Sequence, residues 1–277
     1  MKKVFYMLSI VLMVSVLMNS PQPRALTAAE VTEALASSAN LPAATISINS
    51  DSNGAKSIAE AEKAGKMLFI YFHDGAEMAA NDLAASFTKL METEGASASY
   101  VFIDRKDEKE KSLVAKFQLD RLPMPLILAL APNGAVTAGF PANMANSTTV
   151  SQAFVSKVEM EVLVRLQQGK LILLCVQNAS SEKREEAMAG IKEYIADPTI
   201  ASLTEIITVD PKESSEGAFF EKLRVTPDNQ AQTVMLIPPG TIAGMFKGAV
   251  SALDLKSAFQ AATRPTCGSG CGSTCGN

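Results

Sequence analysis

Tryptophan is absent from this 277-residue chain, and histidine occurs once, at His73. Any acid–base or metal role for an imidazole therefore falls to that one residue. Positive charge is not in excess, since 25 Lys and Arg face 29 Asp and Glu for a net charge of −4. That balance provides no basic footprint and removes nucleic acid as a leading partner. Cysteine is scarce through the body of the chain: of four, only Cys175 precedes Cys267, Cys271 and Cys275, and no two stand as Cys-x-x-Cys. Apolar runs of membrane-spanning length, about 20 residues, are missing as well. The nearest approach is Val4 to Met18, which is too short.

What is present begins with that short run. Met1-Lys2-Lys3 ahead of it gives the charged start and apolar middle of a secretory signal, and Pro23-Arg24-Ala25 and Thr27-Ala28-Ala29 offer small-residue cleavage sites. The sequence therefore predicts a signal segment over 1–25 and a mature start between Leu26 and Glu30, with an uncleaved anchor as the alternative and the one route to a membrane. No lipid-accepting cysteine follows the run. The expected location is a bacterial periplasm or the extracellular space.

The stretch that organises the rest runs from Leu122 to Phe140. It reads as an apolar strand, a turn at Pro132-Asn133-Gly134, and a second strand. Gly takes positive φ freely and Asn tolerates it, so the chain can reverse there and pair with itself. Pro125 stands at the mouth of the first strand, where it cannot donate to a ladder, and Met124-Pro125 is a candidate cis bond. This arrangement resembles the thioredoxin superfamily, in which a cis-proline loop leads into such a hairpin. The resemblance implies a central mixed sheet flanked by helices.

The stretch recurs. An offset of 106 carries Pro132 to Pro238, Gly134 to Gly240, Phe140 to Phe246, Asp104 to Asp210 and Phe117 to Leu223. Upstream the offset is 104, taking Gly65-Lys66 to Gly169-Lys170. A two-residue length change in a loop costs little. The chain is thus expected to be α/β with two tandem thioredoxin-like units, over 26–148 and 149–263, the second including a linking helix, followed by a disordered Cys/Gly-rich tail over 264–277.

The expected elements follow from apolar patterning. After a short helix around Ala29 to Ala36, the first copy has a helix over Ser57 to Ala64, a strand over Met67 to Phe72, a helix over Asn81 to Glu92, a strand over Tyr100 to Asp104 and a helix over Lys106 to Gln118. The charged start of that last helix reads as a solvated face. One long helix, Thr149 to Gln168, joins the copies. The second copy repeats the order, with strands over Leu171 to Val176 and Glu205 to Val209, helices over Glu182 to Ala196 and Glu216 to Leu223, a hairpin over Thr233 to Phe246 and a last helix over Ala252 to Ala262.

In redox-active thioredoxin relatives a Cys-x-x-Cys lies just after the first central strand, where a helix N-terminus lowers the thiol pKa. Here Glu77 and Ala80 hold those places in the first copy, and Ser181 and Arg184 in the second. Ala231 stands where the second copy would carry its counterpart of Pro125. No catalytic residue transfers from the resemblance. His73, Asp74 and Glu77 gather at a strand end, either as a solvated turn or as an acid–base or cation-binding group. Cys175, inside an apolar run, reads as a small core residue. Asn146-Ser147-Thr148 and Asn178-Ala179-Ser180 match the glycosylation sequon, which carries little weight in a bacterial-type export.

Cys267, Cys271 and Cys275 lie among Gly and Ser, with nothing apolar to pack. Three such thiols can take part in disulfide exchange or attachment to a partner, hold Cu(I) or Zn, or be incidental. The spacing of Cys267 and Cys271 is similar to the Cys-x-x-x-Cys of the Sco copper chaperones. The sequence thus predicts a non-catalytic scaffold for a protein partner or an exported polypeptide, with a thiol tail. A thiol-disulfide oxidoreductase or copper chaperone-like protein working through the tail is the alternative.

Overall fold

A computed structural model describes residues 49–75 and 81–263. The signal segment, the short helix near Ala29, Glu77, Ala80 and the tail cysteines lie outside the described residues. The chain divides into two compact units. The first holds the described residues up to Leu171 with Lys212–Thr226 and Ile237–Thr241, and the second holds Ile172–Pro211, Pro227–Leu236 and the described residues from Ile242.

In the first unit, helix α1 (Asn53–Ala64) begins four residues earlier than its apolar pattern suggests. Ser52 caps it by accepting the Ala55 N–H, and Gly65, at φ 65°, closes it. β1 (Met67–His73) follows, buried at every position, as expected of a strand covered on both faces. α2 (Asp82–Thr93) is capped by Asn81 and buries Ala84, Phe87 and Met91. β2 (Ala98–Asp104) pairs parallel with β1, His73 standing opposite Asp104.

The expected helix over Lys106 to Gln118 is instead a 3-10 turn, Glu108–Glu110, leading into α3 (Lys111–Lys116). Its charged start is not wholly solvated either. Glu110 is buried and accepts the Gly54 N–H of α1 at 3.2 Å. β3 (Leu126–Leu130) and β4 (Val136–Pro141) form the antiparallel hairpin, with β3 also antiparallel to β1. The sheet order is β2-β1-β3-β4.

The period of two along β1 assigns its side chains to two cores. Met67, Phe69 and Tyr71 meet Phe87 and Met91 on one face, while Leu68, Ile70 and Phe72 meet Ala61, Leu113 and Val114 on the other. Each fully buried Leu, Ile or Phe contributes about 1.5–3 kcal/mol.

The single long helix expected over Thr149 to Gln168 is two helices, α4 (Ser147–Ala153) and α5 (Lys157–Gln167). Phe154 takes extended backbone and turns its ring to Phe69, with centroids 6.0 Å apart. Ser156 then starts α5 by accepting the Glu159 N–H. Both helices pack on the first core, through Val150, Ala153, Met160, Leu163 and Val164. Gln167 reaches edge strand β4, donating to the Val136 carbonyl at 2.8 Å and accepting its N–H at 2.9 Å. α8 (Gly217–Leu223) also belongs to this unit. Glu216, just before it, accepts the Ser156 hydroxyl and the Val158 N–H.

The second sheet, which lies in the second unit apart from Leu171, Ile237 and Thr241, is built on β5 (Leu171–Val176), β6 (Thr204–Val209), β7 (Gln232–Ile237) and β8 (Thr241–Lys247), in the order β6-β5-β7-β8. α6 (Arg184–Tyr194) and α9 (Ala252–Thr263) pack together. α7 (Pro198–Leu203), which the apolar pattern does not reveal, starts at an Asp197 cap with Pro198 as its first residue.

The sheet registers match the repeat. Leu68 faces Leu130 in one sheet and Ile172 faces Leu236 in the other, so 104 is added on the first strand and 106 on the third. The two extra residues therefore fall between β5 and β6, the interval that contains α7. Both sheets have the mixed, helix-flanked pattern of a thioredoxin-like fold.

Candidate functional site

Because Phe72 pairs with Leu126, the turn after β1 comes beside the entry to β3. The Met124–Pro125 bond there is cis. The Pro125 carbonyl accepts the Ala142 N–H at 3.0 Å, which ties the loop to the end of the hairpin.

His73 is only 6% exposed, so it is not a solvated turn residue. Its Nδ1 lies 3.0 Å from the Gly75 carbonyl, an oxygen that can only accept, which places the proton on Nδ1. Asp74 gives both carboxylate oxygens to Arg105, with Nε–Oδ1 at 2.8 Å and Nη2–Oδ2 at 2.6 Å. The same guanidinium donates through Nη1 to the carbonyls of Leu119 and Leu122, each at 2.8 Å. Arg105 thus fastens together the turn after β1, the end of β2 and the segment leading to Pro125.

Asp104 completes the turn. It accepts the N–H groups of Lys106 at 2.9 Å and Gly75 at 3.2 Å. Chiefly the Lys106 N–H holds this carboxyl below its usual range, with Gly75 and the nearby His73 acting in the same sense against burial.

This geometry uses the predicted residues for structure. Asp74 is committed to Arg105, no described carboxylate hydrogen-bonds the His73 ring, and Glu77 lies outside the described residues. Among the described residues no three His, Cys, Asp or Glu side chains gather as a metal site. Cys175 is 1% exposed, and burial pushes its thiol up to about 12, a poor nucleophile at neutral pH. Cys267, Cys271 and Cys275 lie outside the described residues. Both sequon asparagines are engaged: Asn146 caps α4, and Asn178 donates to Asp210 at 2.9 Å.

In the second unit the Gly248 N–H donates to the Ala231 carbonyl at 2.7 Å. Both residues lie 106 beyond Ala142 and Pro125, so Ala231 occupies the proline's structural place. Unlike proline it has an N–H, which donates to the Glu182 carbonyl at 2.9 Å, while the Glu182 N–H donates to Asn229 at 2.7 Å. Ser181 accepts the Asn178 N–H at 2.9 Å, and Arg184 is exposed at the first position of α6.

The sequence reading missed Arg105, Glu110, Glu182 and Glu216. Glu110 and Glu216 were detectable, since they stand 106 apart and each accepts an N–H from the helix begun by Ser52 or Ser156. Arg105 left no such trace, because the same offset leads to Pro211.

No family model matches the chain, and no curated protein does. Solved structures similar to it include the DsbH oxidoreductase, at 12% identity and a TM-score of 0.26, over 39% of this chain and 81% of that one. The zinc-bound form of human ERp44 is similar at 8% identity and a TM-score of 0.31, over 75% of this chain and 58% of that one. The first two thioredoxin domains of Naumovozyma dairenensis Eps1p are similar at 13% identity and a TM-score of 0.23, over 73% and 93% of the two chains. The fold is thioredoxin-like on its own sheet order and register. Among the described residues no helix is long and apolar enough to cross a membrane.

Proposed function

We propose that this protein is an exported binding scaffold that holds an extended polypeptide segment against the first unit's Pro123-Met124-Pro125 loop. The observation that carries the reading is the backbone at that loop. Among the described residues neither the N–H nor the carbonyl of Met124, which point to one edge of an extended backbone, has a backbone partner, and Pro123 is exposed beside a loop fastened by Arg105. An extended chain can pair with such groups in the manner of strand addition. The places where the fold would activate sulfur hold Glu77, Ala80, Ser181 and Arg184. Thiol chemistry is left to Cys267, Cys271 and Cys275, whose role is covalent attachment to a partner through disulfide exchange.

The probe is a cysteine-free, fluorescein-labelled peptide of about ten alternating Thr and Val residues, which favours extended backbone. Binding should raise its anisotropy and slow amide exchange over 122–126; no binding, or protection elsewhere, would overturn the reading. The second reading is a thiol-disulfide oxidoreductase working through the tail, favoured by the equal spacing of its three cysteines. Insulin reduction by the whole protein but not by a chain ending at Pro265 would establish it instead. Cu(I) or Zn titration of the reduced chain tests the soft-metal role, which no binding beyond that of free thiols would remove.

A further inference from the structure

β2 stands at one edge of the first sheet, and its ladder with β1 runs in unbroken register from Met67 opposite Ala98 to His73 opposite Asp104. At the two ends of that ladder the Met67 N–H donates to the Ser97 carbonyl at 3.1 Å, and the Arg105 N–H donates to the His73 carbonyl at 2.8 Å. Successive residues of a strand turn their peptide groups to opposite edges, so Ser99, Val101 and Ile103 serve β1, while Ala98, Tyr100, Phe102 and Asp104 face away from it. Two of the outward groups are taken: the Ala98 N–H donates to the Glu94 carbonyl at 3.0 Å, and the Asp104 carbonyl accepts the Asp107 N–H at 3.1 Å. The Ala98 carbonyl, the N–H and carbonyl of Tyr100 and of Phe102, and the Asp104 N–H have no partner among the described residues. β2 also lacks the devices that blunt an edge, having no proline, no lysine and no bulge.

We infer that two copies of this chain join at that edge, β2 to β2, antiparallel about a two-fold axis at Val101. In this register Tyr100 of each copy lies opposite Phe102 of the other and exchanges both bonds with it, and each Ala98 carbonyl accepts the Asp104 N–H of the other copy. Every unpartnered group named above is used, and none is left over in either copy. Sliding one strand by two residues in either direction leaves a carbonyl and an N–H of each copy unpaired. The free groups are thus matched to a second copy of themselves, as an isologous contact requires. The side chains agree. Tyr100, 36% exposed and with its ring centroid 6.0 Å from that of Phe102, gains an aromatic cross-strand neighbour, and Val101 meets Val101. Each Asp104 faces an alanine, and the two Asp104 residues stand about 20 Å apart at about 3.3 Å per residue, so no like charges are opposed. At the other edge of the sheet the Gln167 amide occupies Val136 of β4, so joining stops at two copies.

The test uses the full chain under reductant, so that no disulfide of Cys267, Cys271 or Cys275 can link copies. Sedimentation equilibrium should give the mass of two chains at about 100 μM, above the micromolar constants that weak interfaces show. The amides of Tyr100, Phe102 and Asp104 should exchange slowly there and several-fold faster on dilution to single chains, while those of Val101 and Ile103 stay slow throughout. Tyr100→Pro removes an edge N–H and the exposed ring without touching a bond to β1, and should give the mass of one chain; Tyr100→Phe should keep two. A one-chain mass for the unaltered protein overturns the inference. If the three edge amides are then slow at every concentration, their partner is the chain's own segment ahead of Asn49. A two-chain mass with those amides exchanging fast, or a two-chain mass for folded Tyr100→Pro, places the joint elsewhere and overturns it as well. Should Tyr100→Pro fail to fold, the concentration dependence at the three amides decides by itself.

Discussion

Arg105 concentrates more of the site's geometry than any residue the sequence brings forward. Its pair with Asp74 leaves each side chain about one-fifth exposed, at 18% and 20%, and Nη1 satisfies two further carbonyls. Charge-assisted bonds of this kind contribute about 1.5–3 kcal/mol each when a partner is removed. Arg105→Ala should therefore lower the urea midpoint by the equivalent of about 2–4 kcal/mol, and Arg105→Lys should recover only part, because an ammonium lacks the planar fork. Asp104 gives a pH dependence of known sign. Its folded pKa is depressed, so its contribution is complete above the ordinary Asp value of about 3.9 and is lost as pH falls through the folded value. Asp104→Asn should flatten that acid limb in a series of melts below about pH 4. Neither role was legible beforehand, because a single arginine after a strand and an aspartate at its end look like surface punctuation until the chain is folded.

At the scale of elements, the strands were legible and several helix ends were not. Unbroken apolar runs such as Met67–Phe72 and Leu171–Val176 leave no alternative to a buried strand. Helices depend on caps, and Ser52 and Ser156 are ordinary polar residues until their acceptors are placed. The break between α4 and α5 was hidden because Phe154 continues the apolar period while its backbone has already left the helix. The charged run Asp107–Lys111 hid Glu110 in the same way. A contact between elements also explains a glycine: Gly190 of α6 lies against the backbone before α9, where an added Cβ would run into the Val250 carbonyl oxygen. Backbone cannot swing aside as a side chain can, so Gly190→Ala should cost about 2–3 kcal/mol, the upper range of overpacking. Denaturant unfolding followed at the second unit would measure it; an unchanged midpoint would show that α9 shifts freely.

For the molecule as a whole, the two sheets match in strand order and register while the residues at the entry to the third strand differ. The matched registers show that Leu68 and Ile172 do the same work, whereas Pro125 and Ala231 do not. The first core also draws on α4 and α5, the stretch expected as one linking helix. Edge strand β4 would otherwise offer an unsatisfied peptide group at Val136, and the Gln167 amide fills both of its positions as a neighbouring strand would. That single side chain works as a chain terminator for sheet growth: with Gln167→Ala, molecules meeting edge to edge can join their sheets, and light scattering should rise with concentration where the parent solution stays clear.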